Sequence, residues 1–192
     1  MKFFKCILIL FISASITSCG DDSSEPPFVL SNANIAGNYN MSSFNTDVDL
    51  STEVTPGVKA TFSTIKLVGD IFQVDFVLTS NGSYTASGQY SVTSTVTATG
   101  SSPVTNQSII NFSDSGTFNV NTANNTITFN SSNGDFLGSD FIKNNFNVNI
   151  FNNNTFNITV FNENGFKVAQ EVEEVVNPII TEVSAVIGFV KK

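Results

Sequence analysis

The strongest constraint in this chain is an alternation of period two that begins near residue 35. Phe72, Val74, Phe76 and Leu78 alternate with Gln73, Asp75, Val77 and Thr79. Tyr84, Ala86, Tyr90 and Val92 share one parity, and so do Phe146, Val148 and Ile150 in one later run and Phe156, Ile158 and Val160 in the next. A strand places successive side chains on opposite faces, so the pattern predicts strands with one buried and one wet face. β-Branched and aromatic residues dominate these runs, as strands prefer. Between them stand turn signals at Asn81-Gly82, Asp114-Ser115-Gly116, Asn124-Asn125, Asn133-Gly134 and Asn164-Gly165. Their even cadence predicts an antiparallel meander of hairpins. Ser87-Gly88-Gln89-Tyr90-Ser91-Val92 is echoed by Ser115-Gly116-Thr117-Phe118-Asn119-Val120. This is one structural solution used twice, since a solenoid would need a sustained period.

The tail departs from the pattern. Val168, Val172, Val175, Val176 and Ile179 fall at helical spacing, with Glu171, Glu173 and Glu174 off that stripe. The spacing predicts one short C-terminal helix, stopped near residue 176 by Asn177-Pro178. The following residues, 181–190, fit a second helix or a closing strand, and their β-branched content favours the strand.

The first residues are an address rather than part of the fold. Lys2 and Lys5 precede an apolar run at residues 6–16 that is too short to cross a bilayer as a helix. It ends in Ile16-Thr17-Ser18-Cys19, which resembles the bacterial lipobox. Small residues let a signal peptidase grip the extended backbone, and the thiol must be reachable for transfer of a diacylglyceryl group. Residues 1–18 are therefore expected to be a lipoprotein signal peptide, with Ile16, Thr17 and Ser18 recognised by the peptidase and Cys19 acylated. Each buried CH₂ of an acyl chain contributes about 0.8 kcal/mol, so two or three chains anchor durably. Cys6 lies inside the apolar run and reads as a small hydrophobe. Residues 19–34 carry the lipidated Cys and a Ser/Pro-rich tether, and residues 35–192 form the β domain. Cleavage would leave six lysines against 16 acids, a net charge of about −10.

Composition then excludes most chemistry. The chain has no His, no Arg and no Trp, but 19 Phe. A net charge of −8 without Lys/Arg clusters argues against nucleic acid as a partner. Without His, Ser-His-Asp and Cys-His catalysis are impossible, and with no mature thiol either, tight zinc, copper or haem sites are not expected. No metal or other cofactor is expected, and the domain reads as non-enzymatic. Ser63-Thr64-Ile65-Lys66 matches Ser-x-x-Lys formally, but that motif works on a helix, and on a strand positions i and i+3 face opposite ways. Asp47 and Asp49 would share one strand face, as a solvated edge or as part of a weak Ca²⁺ site. A two-carboxylate glycosidase would need a cleft, and sugar-stacking Trp is absent.

Several segments resemble lipocalin-like lipoproteins of Bacteroidota. Ile35-Ala36-Gly37-Asn38-Tyr39 is similar to the Gly-x-aromatic element of a first strand. Residues 80–92 and 115–130 resemble the family's hairpins, and Phe189-Val190-Lys191-Lys192 its end. Lipocalins usually carry Trp where Tyr39 stands, with an Arg packed over it, and this chain has neither. The resemblance implies an up-and-down barrel or half-closed sandwich anchored at the bacterial outer membrane, where it could face the cell surface. Asp21, Asp22 and Glu25 resemble the surface-export signals of that phylum, or form a plain solvated tether. The expected partners are the membrane, through acyl chains on Cys19, and a small apolar molecule or a glycan. Two roles follow: an envelope module binding a small apolar ligand, or a glycan- or protein-interaction surface. If large Phe fill every inward position, no cavity remains inside.

Overall fold

The structure, a computed structural model, describes residues 29–151 and 154–192. The expected signal peptide, with Ile16, Thr17 and Ser18, the acylation site Cys19 and most of the tether lie outside the described residues. Eight strands follow one another: β1 (Gly37–Thr55), β2 (Val58–Leu78), β3 (Ser83–Ala98), β4 (Val104–Asn121), β5 (Thr126–Ser131), β6 (Thr155–Asn162), β7 (Gly165–Val176) and β8 (Ile179–Lys191). Each pairs antiparallel with the next, and β8 returns to β1 from Tyr39↔Lys191 to Thr52↔Ile179. The meander therefore closes into a barrel rather than stopping as a half-closed sandwich.

The alternation that defines the strands also defines the core. Tyr84, Ala86, Tyr90 and Val92 of β3 are all buried, as are Val74, Phe76 and Leu78 of β2. Asn81-Gly82, Asn124-Asn125 and Asn164 stand in the turns expected of them, and Asn133-Gly134 follows β5. Further turns lie at Pro56-Gly57 and at residues 99–103.

Three expectations are corrected. Residues 168–176 are not a helix but most of β7, where Val168 and Gln170 are buried and Lys167 and Glu171 are turned out to solvent or toward it. Valines satisfy both periods here; the full row of cross-strand partners in β8, from Gly165↔Val190 to Val176↔Ile179, decides for the strand. Asn177-Pro178 forms the two-residue turn between them, through a cis peptide. Among the described residues the one helix of two turns, α2 (Ser139–Phe146), lies between β5 and β6, so the alternation at 146–150 is the end of that helix and the loop after it. Asp114-Ser115-Gly116 is not a turn but lies inside β4. Gly116 is there because a Cβ would come within 2.0 Å of the Asn130 carbonyl oxygen on β5.

The barrel has two unlike ends. One is closed by a four-residue helix, α1 (Asn32–Ile35), whose Ile35 is fully buried. The Asn32 side-chain oxygen accepts the Val120 N–H at 2.9 Å and fixes α1 to the end of β4. At the other end, the mouth, the β1–β2, β3–β4 and β7–β8 hairpins reach past the short strands β5 and β6. These two pair over only three positions, Thr126↔Asn157 to Thr128↔Thr155. The upper parts of β4 and β7 therefore have a strand neighbour on one side only, and the described residues of the long connection, 132–151, pack into the mouth between them.

Candidate functional site

The interior is occupied by aromatic rings. Every strand contributes one: Tyr39, Phe76, Tyr84, Phe118, Phe129, Phe156, Phe166 and Phe189, in order from β1 to β8. They form a single connected network. Phe189 stacks on Phe76 at 4.6 Å and on Phe166 at 4.7 Å, and Tyr39 meets Phe166 edge-on at 5.1 Å. Phe129 links Tyr84, Phe118 and Phe156 to Phe76. Such edge-on and stacked pairs suit the ring quadrupoles, and all eight rings are buried. Tyr39 donates from its hydroxyl to the Ile35 carbonyl at 2.7 Å and so ties β1 to α1.

The β5–β6 connection enters this network from the mouth. Phe136 stacks on Phe129 at 4.6 Å and touches the rings of Phe76, Tyr84, Phe151 and Phe156. Leu137 and Gly138 both take left-handed backbone, at φ of 52° and 78°, which turns the chain sharply into α2. A Cβ on Gly138 would meet Ile110 Cγ2 at 2.3 Å, so the backbone lies directly on β4. Tyr90, buried and with its phenol pushed up by desolvation, donates to the Leu137 carbonyl at 3.0 Å. Ile142, Val148, Ile150 and Phe151 complete the buried face. The connection is thus a plug, with its apolar side chains part of the core.

Polar groups inside are held by defined partners. Asp114 is 5% exposed and accepts from the Tyr84 hydroxyl at 2.6 Å, the Ser131 hydroxyl at 2.8 Å and the Ser115 N–H at 2.7 Å. Burial, then the Asp114 carboxylate, hold the Tyr84 phenol far above its ordinary range. Asp135 caps α2 by accepting the Asp140 N–H at 2.9 Å, and burial raises its carboxyl above the usual value.

Above the plug, a half-open cleft of about 480 Å³ remains at the mouth. Leu50, Phe62, Phe146, Val148, Val176 and Ile179 give it apolar walls, with Lys143 and Glu174 as its charged groups. Val176 is 66% exposed and Ile179 42%, so this rim offers apolar surface to whatever enters. The volume falls within the range of small-molecule sites.

The other sequence candidates lie outside the barrel. Asp47 and Asp49 project from β1 into a shallow groove of about 440 Å³ with Glu171, Glu173 and Glu182. Lys59 bridges Glu173 at 2.7 Å and Glu182 at 2.8 Å, and Lys66 lies 3.9 Å from Asp47. Among the described residues no group of three Asp, Glu, His or Cys side chains converges as a metal site. Ser63 and Lys66 both belong to β2 and face opposite ways, Lys66 outward toward Asp47. Sequence reasoning found the barrel's inward rings but not the cleft. Phe62, Phe146 and Val176 come together only through the plug and two hairpins, and the one signal was an unusually long Phe-rich connection after Ser131.

Comparison of the chain with protein-family models, with curated proteins and with solved structures finds no match.

Proposed function

We propose that this chain is a non-catalytic, lipocalin-like lipoprotein of the bacterial envelope that takes an amphipathic apolar molecule at its mouth. The observation that carries the reading is the division of the barrel. Eight strand aromatics and Phe136 occupy the lumen, while the cleft above the plug keeps about 480 Å³ between apolar walls. An acyl or polycyclic body would lie against Phe62, Phe146 and Val176. Lys143, in the last turn of α2, would meet an anionic head group. The lipobox at Ile16-Thr17-Ser18-Cys19 supports attachment through acyl chains. The tether joins the domain at α1, the end opposite the mouth, so the anchor leaves the cleft open to a ligand.

The test is a titration of residues 20–192 with a fluorescent fatty-acid probe. Saturable binding at micromolar concentration is expected, weakened tenfold or more by Phe62→Asp with Val176→Asp and unchanged by Thr85→Asp on the opposite wall. Absence of saturable binding, or equal binding by the cleft variant, refutes the reading.

A further inference from the structure

Charge is distributed very unevenly round this barrel. From Phe76 to Ser113 there is no charged residue, although the chain carries a net −8. That stretch includes all of β3 and the upper part of β4. Five acidic groups cluster across the barrel, at Asp47, Asp49, Glu171, Glu173 and Glu182, and the one acid of β4, Asp114, is buried.

The uncharged wall ends in an unpaired edge. β4 pairs with β3 along Val104–Thr117, but with β5 only from Gly116↔Ser131 to Asn121↔Thr126. Hydrogen bonds fix which groups point outward. The Phe118 N–H donates to Gly82 on the β3 side, while the Ser115 carbonyl accepts Ser132 N–H on the other. The Ser113 carbonyl, on that same outer side, accepts from the Asn133 side chain. Backbone direction alternates along a strand, so the N–H and C=O groups of Thr105, Gln107, Ile109 and Asn111 also point outward. These four residues are exposed, Ile109 at 61%, and no strand covers them among the described residues. Unpaired edges of this kind are normally blunted by charge or proline. The barrel's other edge, Glu171–Val176 of β7, carries Glu171, Glu173 and Glu174. Thr105–Asn111 carries no such device, and Pro103 lies before the strand begins.

We propose that this edge of β4 pairs with the same edge of a second copy, joining two barrels through an antiparallel β4–β4 ladder. A second copy fits because a β4–β4 ladder over Thr105–Asn111 opposes only Thr, Asn, Gln, Ser and Ile side chains and sets no acid of one chain against an acid of the other. The contact is also its own complement. A two-fold axis near Ser108 sets Thr105 against Asn111 and Gln107 against Ile109, so that outward N–H groups meet outward carbonyls. One short ladder buries less than the roughly 1,200 Å² of a standard stable interface, so the dimer is weak and reversible. Antiparallel pairing sends the two α1 ends in opposite directions. The ten residues from Cys19 to Val29 reach up to ~35 Å, enough for both tethers to reach one surface if the barrels lie flat.

The test uses the full chain in detergent, with micelles in excess, by sedimentation velocity over a range of protein concentrations. A monomer–dimer equilibrium is expected. Gln107→Pro removes an outward N–H and leaves the β3 ladder intact, so it should weaken dimerisation at least tenfold with the thermal midpoint of the monomer retained. Glu173→Gln, on the other edge, should leave the dimer unchanged. Amide exchange of the unmodified chain gives a second reading. Protection at Gln107 and Ile109 should rise with concentration, while Asn106 and Ser108 stay protected throughout. A chain that is monomeric at every concentration overturns the proposal. So does concentration-independent exchange at Gln107 and Ile109, or a folded Gln107→Pro variant that dimerises like its parent.

Discussion

Replacing Phe136 by alanine tests whether the plug belongs to the core or merely covers it. The ring is 1% exposed and in contact with five aromatic side chains from the barrel and the connection. A buried Phe removes roughly 150–200 Å² from water, which at about 25 cal/mol per Å² gives about 4–5 kcal/mol. Alanine keeps part of that surface, but the surrounding rings, held by their own strands, cannot collapse fully into the space. A loss of about 4 kcal/mol is expected, in line with buried Phe→Ala changes generally. Urea unfolding followed by far-UV circular dichroism reads it directly. With a slope of about 2 kcal/mol per molar, the midpoint should fall by ~2 M with the slope unchanged. The same substitution at half-buried Phe141 should cost less than half as much. A Phe136→Ala loss below about 1 kcal/mol would refute the plug as part of the core, because the connection could then detach while the barrel stands.

Two more predictions follow from particular contacts and a third from the lipobox. Asp135→Asn keeps the acceptor for the Asp140 N–H and removes a carboxyl whose folded pKa is raised by burial. A raised acid pKa means the folded state binds the proton more tightly, so stability is lost as pH rises through the folded value; the variant should melt higher than its parent near pH 7, and the gap should close below the ordinary aspartate range. Gly116→Ala drives a Cβ into the Asn130 carbonyl, which the β4–β5 ladder holds in place, and should destabilise by about 3 kcal/mol or more in the same urea assay. Cys19→Ala should abolish incorporation of a labelled fatty acid in growing bacteria; label retained in the variant would show that the anchor lies elsewhere.

How far the fold could be read from sequence depended on whether a residue's role was local. Tyr84, Ala86, Tyr90 and Val92 announce an inward face because the strand period alone sets it. Residues 168–176 misled because valines at 168, 172 and 176 suit both a helix and a strand, and only β8, a separate segment, chooses. Asp114-Ser115-Gly116 looked like a turn because Gly usually marks a bend, whereas here its lack of a Cβ admits the β5 backbone. The mouth cleft was illegible for the same reason on a larger scale. Its walls come from β1, β2, β7, β8 and the connection after β5, and no periodicity within one of these forecasts the others. The composition, by contrast, bears on chemistry without any structure: a chain without His brings no imidazole to any site, wherever its residues fall.

The ring closure between β1 and β8 also sets an order of events in time. Gly37–Thr55 finds its second partner only in Ile179–Lys191, well over a hundred residues later. Contacts so distant in sequence make folding slow, because the whole intervening chain must be ordered before they form. A chain delivered N-terminus first would hold β1 and β2 as a hairpin while the last strand was still arriving, and the aromatic network could not be completed until Phe189 reached Phe76 and Phe166. The interval before closure is then the period in which this protein most needs a chaperone, and the final strand is where a truncation would do the greatest harm.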